Sequence, residues 1–232
     1  MVENMPSGRK GLRGAYAVIL LIALPWIFYF PAWLRPMAQG DNLVEMWPTA
    51  RFVFGELGRG RDPLWNPYLC SGFPVAGYAN TGMYSITNLL NLILPHVWAL
   101  TFQIMLIHSL AGIGLYLFVR RLGASMEGAL LGGVIFSFCG FLLWGFPFSY
   151  FMAAAVGIGF VFWALEGMRT SDSVVSLARM TLLGGLLLAL QLLASHPQLT
   201  VISGLLYSLY VIWFTFAGLG GKRGLRLAAS RS

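Results

Sequence analysis

Asp41 and Glu45 stand four residues apart in the stretch AQGDNLVEMWP, directly after the first long apolar run of a 232-residue chain with only eight acidic residues. On a helix, positions four apart share a face, so the two carboxylates can converge on one ligand. Asn42 followed three residues later by Glu45 is also a capping-box pattern, which gives Glu45 a purely structural role. Asp41 can cap too, but Asn42 already serves, and Asp41 is the stronger candidate for chemistry. Arg51, Arg59 and Arg61 follow in the same loop. A guanidinium fork grips phosphate in a bidentate way. The competing role is again structural: the stems snorkel toward lipid headgroups, or the charges pair with Glu56 and Asp62. A second short motif, SHPQL, sets His196 and Gln198 on either side of Pro197. It offers an imidazole and an amide to a polar ligand, or simply a tight turn. No metal-ligand cluster, phosphate-binding loop or nucleotide-fold motif accompanies these residues.

The elements that must position them are set by composition. The chain is 58% hydrophobic and 10% charged, with mean hydropathy +0.74. A soluble domain carries about 25% charged residues, so this is an integral membrane protein. The net charge of +7 does not point to nucleic acid, because the basic residues are scattered between apolar blocks as orientation signals. Cys70 and Cys139 form no disulfide framework or cysteine metal site.

A helix needs roughly 20 mostly apolar residues to cross the hydrocarbon core. Six such spans are expected, at 15–34, 97–119, 129–146, 151–168, 178–194 and 199–218. The first follows Arg9, Lys10 and Arg13 and lacks a convincing cleavage site, so it reads as an uncleaved anchor. With the N-terminus at 1–14 inside, the inner segments hold Arg120, Arg121, Arg169, Arg179 and the basic tail 219–232. The outer segments hold only Arg35, Arg51, Arg59 and Arg61. This satisfies the positive-inside rule, with both termini cytoplasmic. Gly128, Gly132, Gly133, Gly184 and Gly185 are expected to let helices approach closely. Gln103, His108 and Gln191 fall inside spans and are expected to bond between helices.

The segment 35–96 is a long outer loop, and long loops in compact proteins are usually functional. Leu43, Trp47, Ala50, Phe54 and Leu57 recur at helical spacing. They predict an amphipathic helix over 43–57 lying on the outer membrane surface. A second interfacial helix is expected over 86–94, leading into the next span. Asp41 and Glu45 then lie on the outer face, at the mouth of the bundle.

These loop residues resemble a known family. Asp41, Glu45 and Pro48, then Gly60, Asp62, Pro63, Trp65 and Asn66, then Gly72, Phe73 and Pro74 are similar to the outer-loop motifs of YfhO-type bacterial membrane proteins. Those belong to the multi-span glycosyltransferases of the GT-C class. SHPQL resembles a further outer-turn motif. Two departures stand out: Ser85 occupies a position where proline is expected, and the class has ten or more spans where this chain has six. The resemblance is therefore to the N-terminal half of such an enzyme, completed by a C-terminal half or a partner subunit.

The resemblance implies an all-α, six-span bundle in the bacterial cytoplasmic membrane, with a partly helical first outer loop. It implies a sugar moved at the outer face from a polyprenyl-phosphate donor to an acceptor. Asp41 is then the general base, with Glu45 as its partner. Arg51, Arg59 and Arg61 meet the donor phosphate, and His196 and Gln198 bond the phosphate or sugar. A divalent cation at Asp41 is compatible with the class. Two other readings fit the same residues: a non-catalytic subunit or lipid-linked-sugar transport component, and a truncated remnant.

Overall fold

The computed structural model describes residues 7–36, 40–78, 82, 85–145, 148–194 and 197–219. Its helices are α1 (Ser7–Phe28), α2 (Trp47–Leu57), α3 (His96–Arg121), α4 (Met126–Ser137), α5 (Gly140–Trp144), α6 (Ser149–Arg169), α7 (Val174–Ala194) and α8 (Pro197–Leu219). Five helical stretches are long and apolar enough to cross a membrane: His96–Arg121, Met126–Trp144, Ser149–Arg169, Val174–Ala194 and Pro197–Phe216. The apolar part of α1, Leu12–Phe28, is shorter. The continuous helix expected over 15–34 ends at Phe28, and a 3₁₀ turn, Phe30–Trp33, carries Pro31. Proline has no N–H to continue an α-helix. The span expected over 129–146 is likewise broken, between Ser137 and Gly140, so α5 is a separate turn of helix.

Helix α3 is the centre of the bundle. It packs against α1, α4 and α6, while α7 and α8 lie on α6. The tightest approach is between α3 and α6 at Gly114 and Gly159. A Cβ on Gly159 would stand 2.3 Å from the backbone of Gly114 and Leu115. Between lipid-facing helices there is little hydrophobic drive to associate, so such small-residue contacts carry the packing. Of the glycines expected in this role, Gly133 meets Gly112 and Gly184 meets Met168, whereas nothing lies within 4 Å of a Cβ on Gly185.

Polar side chains inside the bundle bond between helices, as expected for Gln103, His108 and Gln191. His108 Nδ1 donates to the Ser137 carbonyl, the Ser137 hydroxyl donates back to the His108 carbonyl, and the Tyr29 hydroxyl lies 3.0 Å from His108 Nε2. These bonds join α1, α3 and α4. Gln191 donates to the Ala154 carbonyl and accepts from Tyr207, which joins α6, α7 and α8. At the other end of α6, the buried Glu166 takes Arg169 and Tyr210. The outward surface is apolar: Leu182, Leu186, Leu205, Leu209 and Trp213 are all more than half exposed. Apolar outside and hydrogen-bonded inside is the arrangement a lipid solvent imposes.

Gly159→Ala is expected to lower the thermal stability of the detergent-solubilised protein by about 1–3 kcal/mol, the usual cost of overpacking. Gly185→Ala serves as a neutral control. Equal melting temperatures for the two variants would show that α3 and α6 do not touch at Gly159.

Candidate functional site

The predicted helix over 43–57 is present, but it begins with a π-turn, Asn42–Met46, before the regular α2. Its buried face runs through Asn42, Met46, Thr49 and Val53, while Leu43 and Leu57 are exposed. The face lies one residue from the apolar stripe read in the sequence. The partner of this helix is protein, not bare lipid: Met46 packs on Leu100 and Tyr150, and Val53 and Phe54 pack on Val75. Small polar side chains suit a face that meets the polar start of α6.

That contact is specific. Asn42 Oδ1 accepts from the Ser149 backbone N–H at 3.0 Å and from the Ser149 hydroxyl at 2.8 Å. Asn42 is fully buried. The capping box is not formed: no side chain caps the π-turn. Next to this junction, the Tyr150 hydroxyl donates to Asp41 Oδ2 at 2.8 Å. Glu45 stands one turn further on, and its Oε1 is buried with no hydrogen-bond partner among the described residues.

Tyr150 and Ser149 also line a small, partly polar space of about 10 Å³ with Asn88 and Gln103, and the apolar Met46, Leu100 and Ala194 complete it. That is about the room needed by one water. Gln103 is 3% exposed and gives its N–H to Thr87, leaving Oε1 without a partner among the described residues. On the far side of Thr87 opens an apolar groove of about 180 Å³ between α3, α6 and α7, lined by Leu110, Val156, Phe160 and Leu187. Thr87 thus faces the groove while its hydroxyl holds Gln103, which faces the polar space.

The segment expected as a second interfacial helix is a 3₁₀ helix, Ile86–Leu92. Its polarity is reversed relative to a water-soluble element. Thr87, Asn88 and Asn91 are buried, and Ile86, Leu89 and Leu92 are exposed.

The arginines lie apart from the carboxylates. Arg51 follows Asp41 by ten residues, a helical rise of about 15 Å. It opens onto a cavity of about 520 Å³ with Phe52, Arg59, Asn66, Tyr68 and His96. Arg59 and Arg61 both bind Glu56, at 3.0 and 2.6 Å, the structural role weighed for them from sequence. The Arg61 hydrogen bond holds the Glu56 carboxyl below its ordinary pKa. Asp62 accepts from the Leu64 N–H and makes a turn. The wall of the cavity is a short hairpin, Trp65–Asn66 paired antiparallel with Phe73–Pro74. Its reversal puts Cys70, Ser71 and Gly72 at positive φ. Only glycine fits at 72, where a Cβ would strike the Trp65 ring at 2.3 Å.

Gln198 lies exposed in the first turn of α8. His196 lies outside the described residues. Among the described residues no three His, Cys, Asp or Glu side chains converge to hold a metal ion. Sequence reasoning missed Ser149, Tyr150 and His96. The first two open α6 and follow the uncharged stretch GFPF, and that lack of charge between two apolar spans was the available signal. Comparisons with protein-family models, curated proteins and solved structures found no match to this chain.

Asn42→Ser separates bridge from cap. Serine caps a helix about as well as asparagine but is too short to reach Ser149. Loss of the bridge leaves a buried N–H unpaired, at a cost of about 1–3 kcal/mol. A melting temperature equal to that of the parent would restore the capping role.

Proposed function

We propose that the chain is a membrane glycosyltransferase of the GT-C class, or the N-terminal part of one. It moves a sugar from a polyprenyl-phosphate donor to an acceptor hydroxyl at the outer face of the bacterial cytoplasmic membrane. One observation carries the reading: a half-buried carboxylate, Asp41, is held by Tyr150 beside a polar space that adjoins an apolar groove between helices. A lipid-linked sugar has this polarity along its length, with an apolar tail and a hydroxyl-rich head. The resemblance of the loop motifs to the YfhO-type proteins supports the same reading.

In this mechanism Asp41 takes the proton from the acceptor hydroxyl as its oxygen attacks the anomeric carbon. The new carbon–oxygen bond forms as the bond to the lipid phosphate breaks, and the phosphate leaves with the electron pair. Tyr150 occupies Oδ2, which orients the carboxylate and leaves Oδ1 for the incoming proton. The unpartnered Glu45 Oε1 is an acceptor for a sugar or acceptor hydroxyl. The loop arginines are not needed at the anomeric carbon, since Arg59 and Arg61 are engaged by Glu56.

The topology belongs to the same proposal: six spans, with α1 as the first, both termini cytoplasmic and the 35–96 loop outside. Cys70 is exposed, so an impermeant maleimide added to intact cells is expected to label it. A cysteine introduced at Arg226 should stay unlabelled. The reverse pattern would invert the orientation.

Asp41→Asn keeps the shape and the Tyr150 hydrogen bond but cannot take a proton. Transfer from a polyprenyl-phosphate sugar by the full-length protein should fall by about 10²–10⁴-fold, with donor binding retained. Unchanged transfer by Asp41→Asn would remove the base. A protein that binds the donor but never transfers would instead be the non-catalytic subunit.

A further inference from the structure

We propose that the open cavity beside α2 is a second ligand site, taking a phosphate-bearing polyol, separate from the Asp41 centre and independent of the transferase reading. The cavity, about 520 Å³, is in the size range of small-molecule sites. Its charge is set by Arg51 and by the Glu56 group. Glu56 is one carboxylate shared between Arg59 and Arg61, so that cluster keeps a net positive charge. Arg51 is exposed and has no hydrogen bond or ion pair among the described residues. Its guanidinium is therefore not used by the fold. Arg51 offers an unused guanidinium fork to a tetrahedral dianion, and Arg59, held on Glu56 through Nη1, adds a second positive charge to the same lining.

The rest of the lining selects more than charge. His96 Nδ1 lies 3.1 Å from Asn91 Oδ1. That amide oxygen only accepts, so Nδ1 carries the proton and Nε2 of the neutral ring offers a lone pair. A lone pair next to two cations suits a ligand that brings an O–H donor as well as an anion. The Tyr68 backbone N–H is fixed by Asn66 Oδ1 at 2.9 Å, yet its side chain is 85% exposed and meets Phe52 edge to face at 6.2 Å. Exposed aromatic rings at a cavity mouth provide an apolar platform for the C–H faces of a polyol. Bare inorganic phosphate would use the arginines alone, whereas a phosphorylated polyol uses all three features.

Two sources carry this chemistry, a soluble polyol phosphate and the headgroup of an anionic glycerophospholipid. The test titrates the purified full chain in uncharged detergent with glycerol 3-phosphate, with short-chain phosphatidylglycerol and with glycerol, by calorimetry. Saturable binding of at least one phosphate probe is expected, with none for glycerol, and the tighter probe identifies the source. Arg51→Ala should weaken that binding about tenfold to a hundredfold, the loss of one charge-assisted hydrogen bond. Arg51→Gln provides a second variant, and the melting temperature of each checks its fold. Asp41→Asn should bind like the parent. Absence of saturable binding by both phosphate probes overturns the site. So does binding that survives both Arg51 variants, or binding lost equally in Asp41→Asn.

Discussion

The two hydrogen bonds from Ser149 to Asn42 fasten the 35–96 loop to the bundle, and the start of the helical part of that loop is set there. Ser149 opens α6, and the N–H groups of a first helical turn have no partner within their own helix. In water a solvent molecule would satisfy one. At a buried junction that option is closed, and an unpaired N–H costs about 1–3 kcal/mol. The asparagine amide satisfies it, and its position fixes the start of the π-turn. Asp41 on one side then meets Tyr150, and Met46 on the other seats against Leu100. From there α2 runs on, packed against protein through Val53 and Phe54, and carries Arg51 and Glu56 to the second cavity.

The same rule, that buried polar groups must find partners, explains the inverted 3₁₀ segment. Asn88 donates to the Gly82 carbonyl, Asn91 to the Asn88 carbonyl, and Thr87 bonds both Ser85 and Gln103. Its polar side is consumed by the protein, and its leucines and isoleucines face out. Such an element is stable only where the outside is itself apolar. The segment thus joins the spanning helices in reporting a lipid environment, although it is too short to cross one.

The long apolar helices and the helical outer loop were legible because hydropathy and periodicity act over many residues. The interhelix roles of Gln103, His108 and Gln191 were legible for a related reason, since uncharged polar groups in an apolar bundle have few other options. The phase of the helix over 43–57 was not. Sequence shows which residues are apolar but not what they pack on, and here the partner was the polar end of α6. Asn42 illustrates the limit. Its spacing to Glu45 fits a local cap, while its actual partner is more than a hundred residues away. The kink at Pro31 was available from composition, but the strength of the apolar signal across it outweighed a single proline. Pairing of Arg59 and Arg61 with Glu56 was one of two readable alternatives, and three-dimensional proximity decided it.

The acidic residues show why the Asp41 region stands apart. Glu3 lies outside the described residues. Glu56 neutralises two arginines, and Asp62 closes a turn. Glu127 sits in the first turn of α4, where the helix dipole favours a negative charge. Glu166 is buried against Arg169 and Tyr210, and the exposed Asp172 precedes α7. Each of these is either answered by a cation, a helix end or a backbone N–H, or is left to solvent. Asp41 and Glu45 have no such answer. Among the described residues, Asp41 receives one phenol hydrogen bond, and Glu45 keeps a buried oxygen with none. A chain so sparing of acids sets two of them four residues apart, without a cation among the described residues, at the junction of its loop and its bundle. Folding alone gives no reason for that arrangement, because hydrophobic residues there would pack without the desolvation cost of a carboxylate. In the transferase mechanism proposed above, a ligand that brings hydrogen-bond donors to both carboxylates is the missing partner.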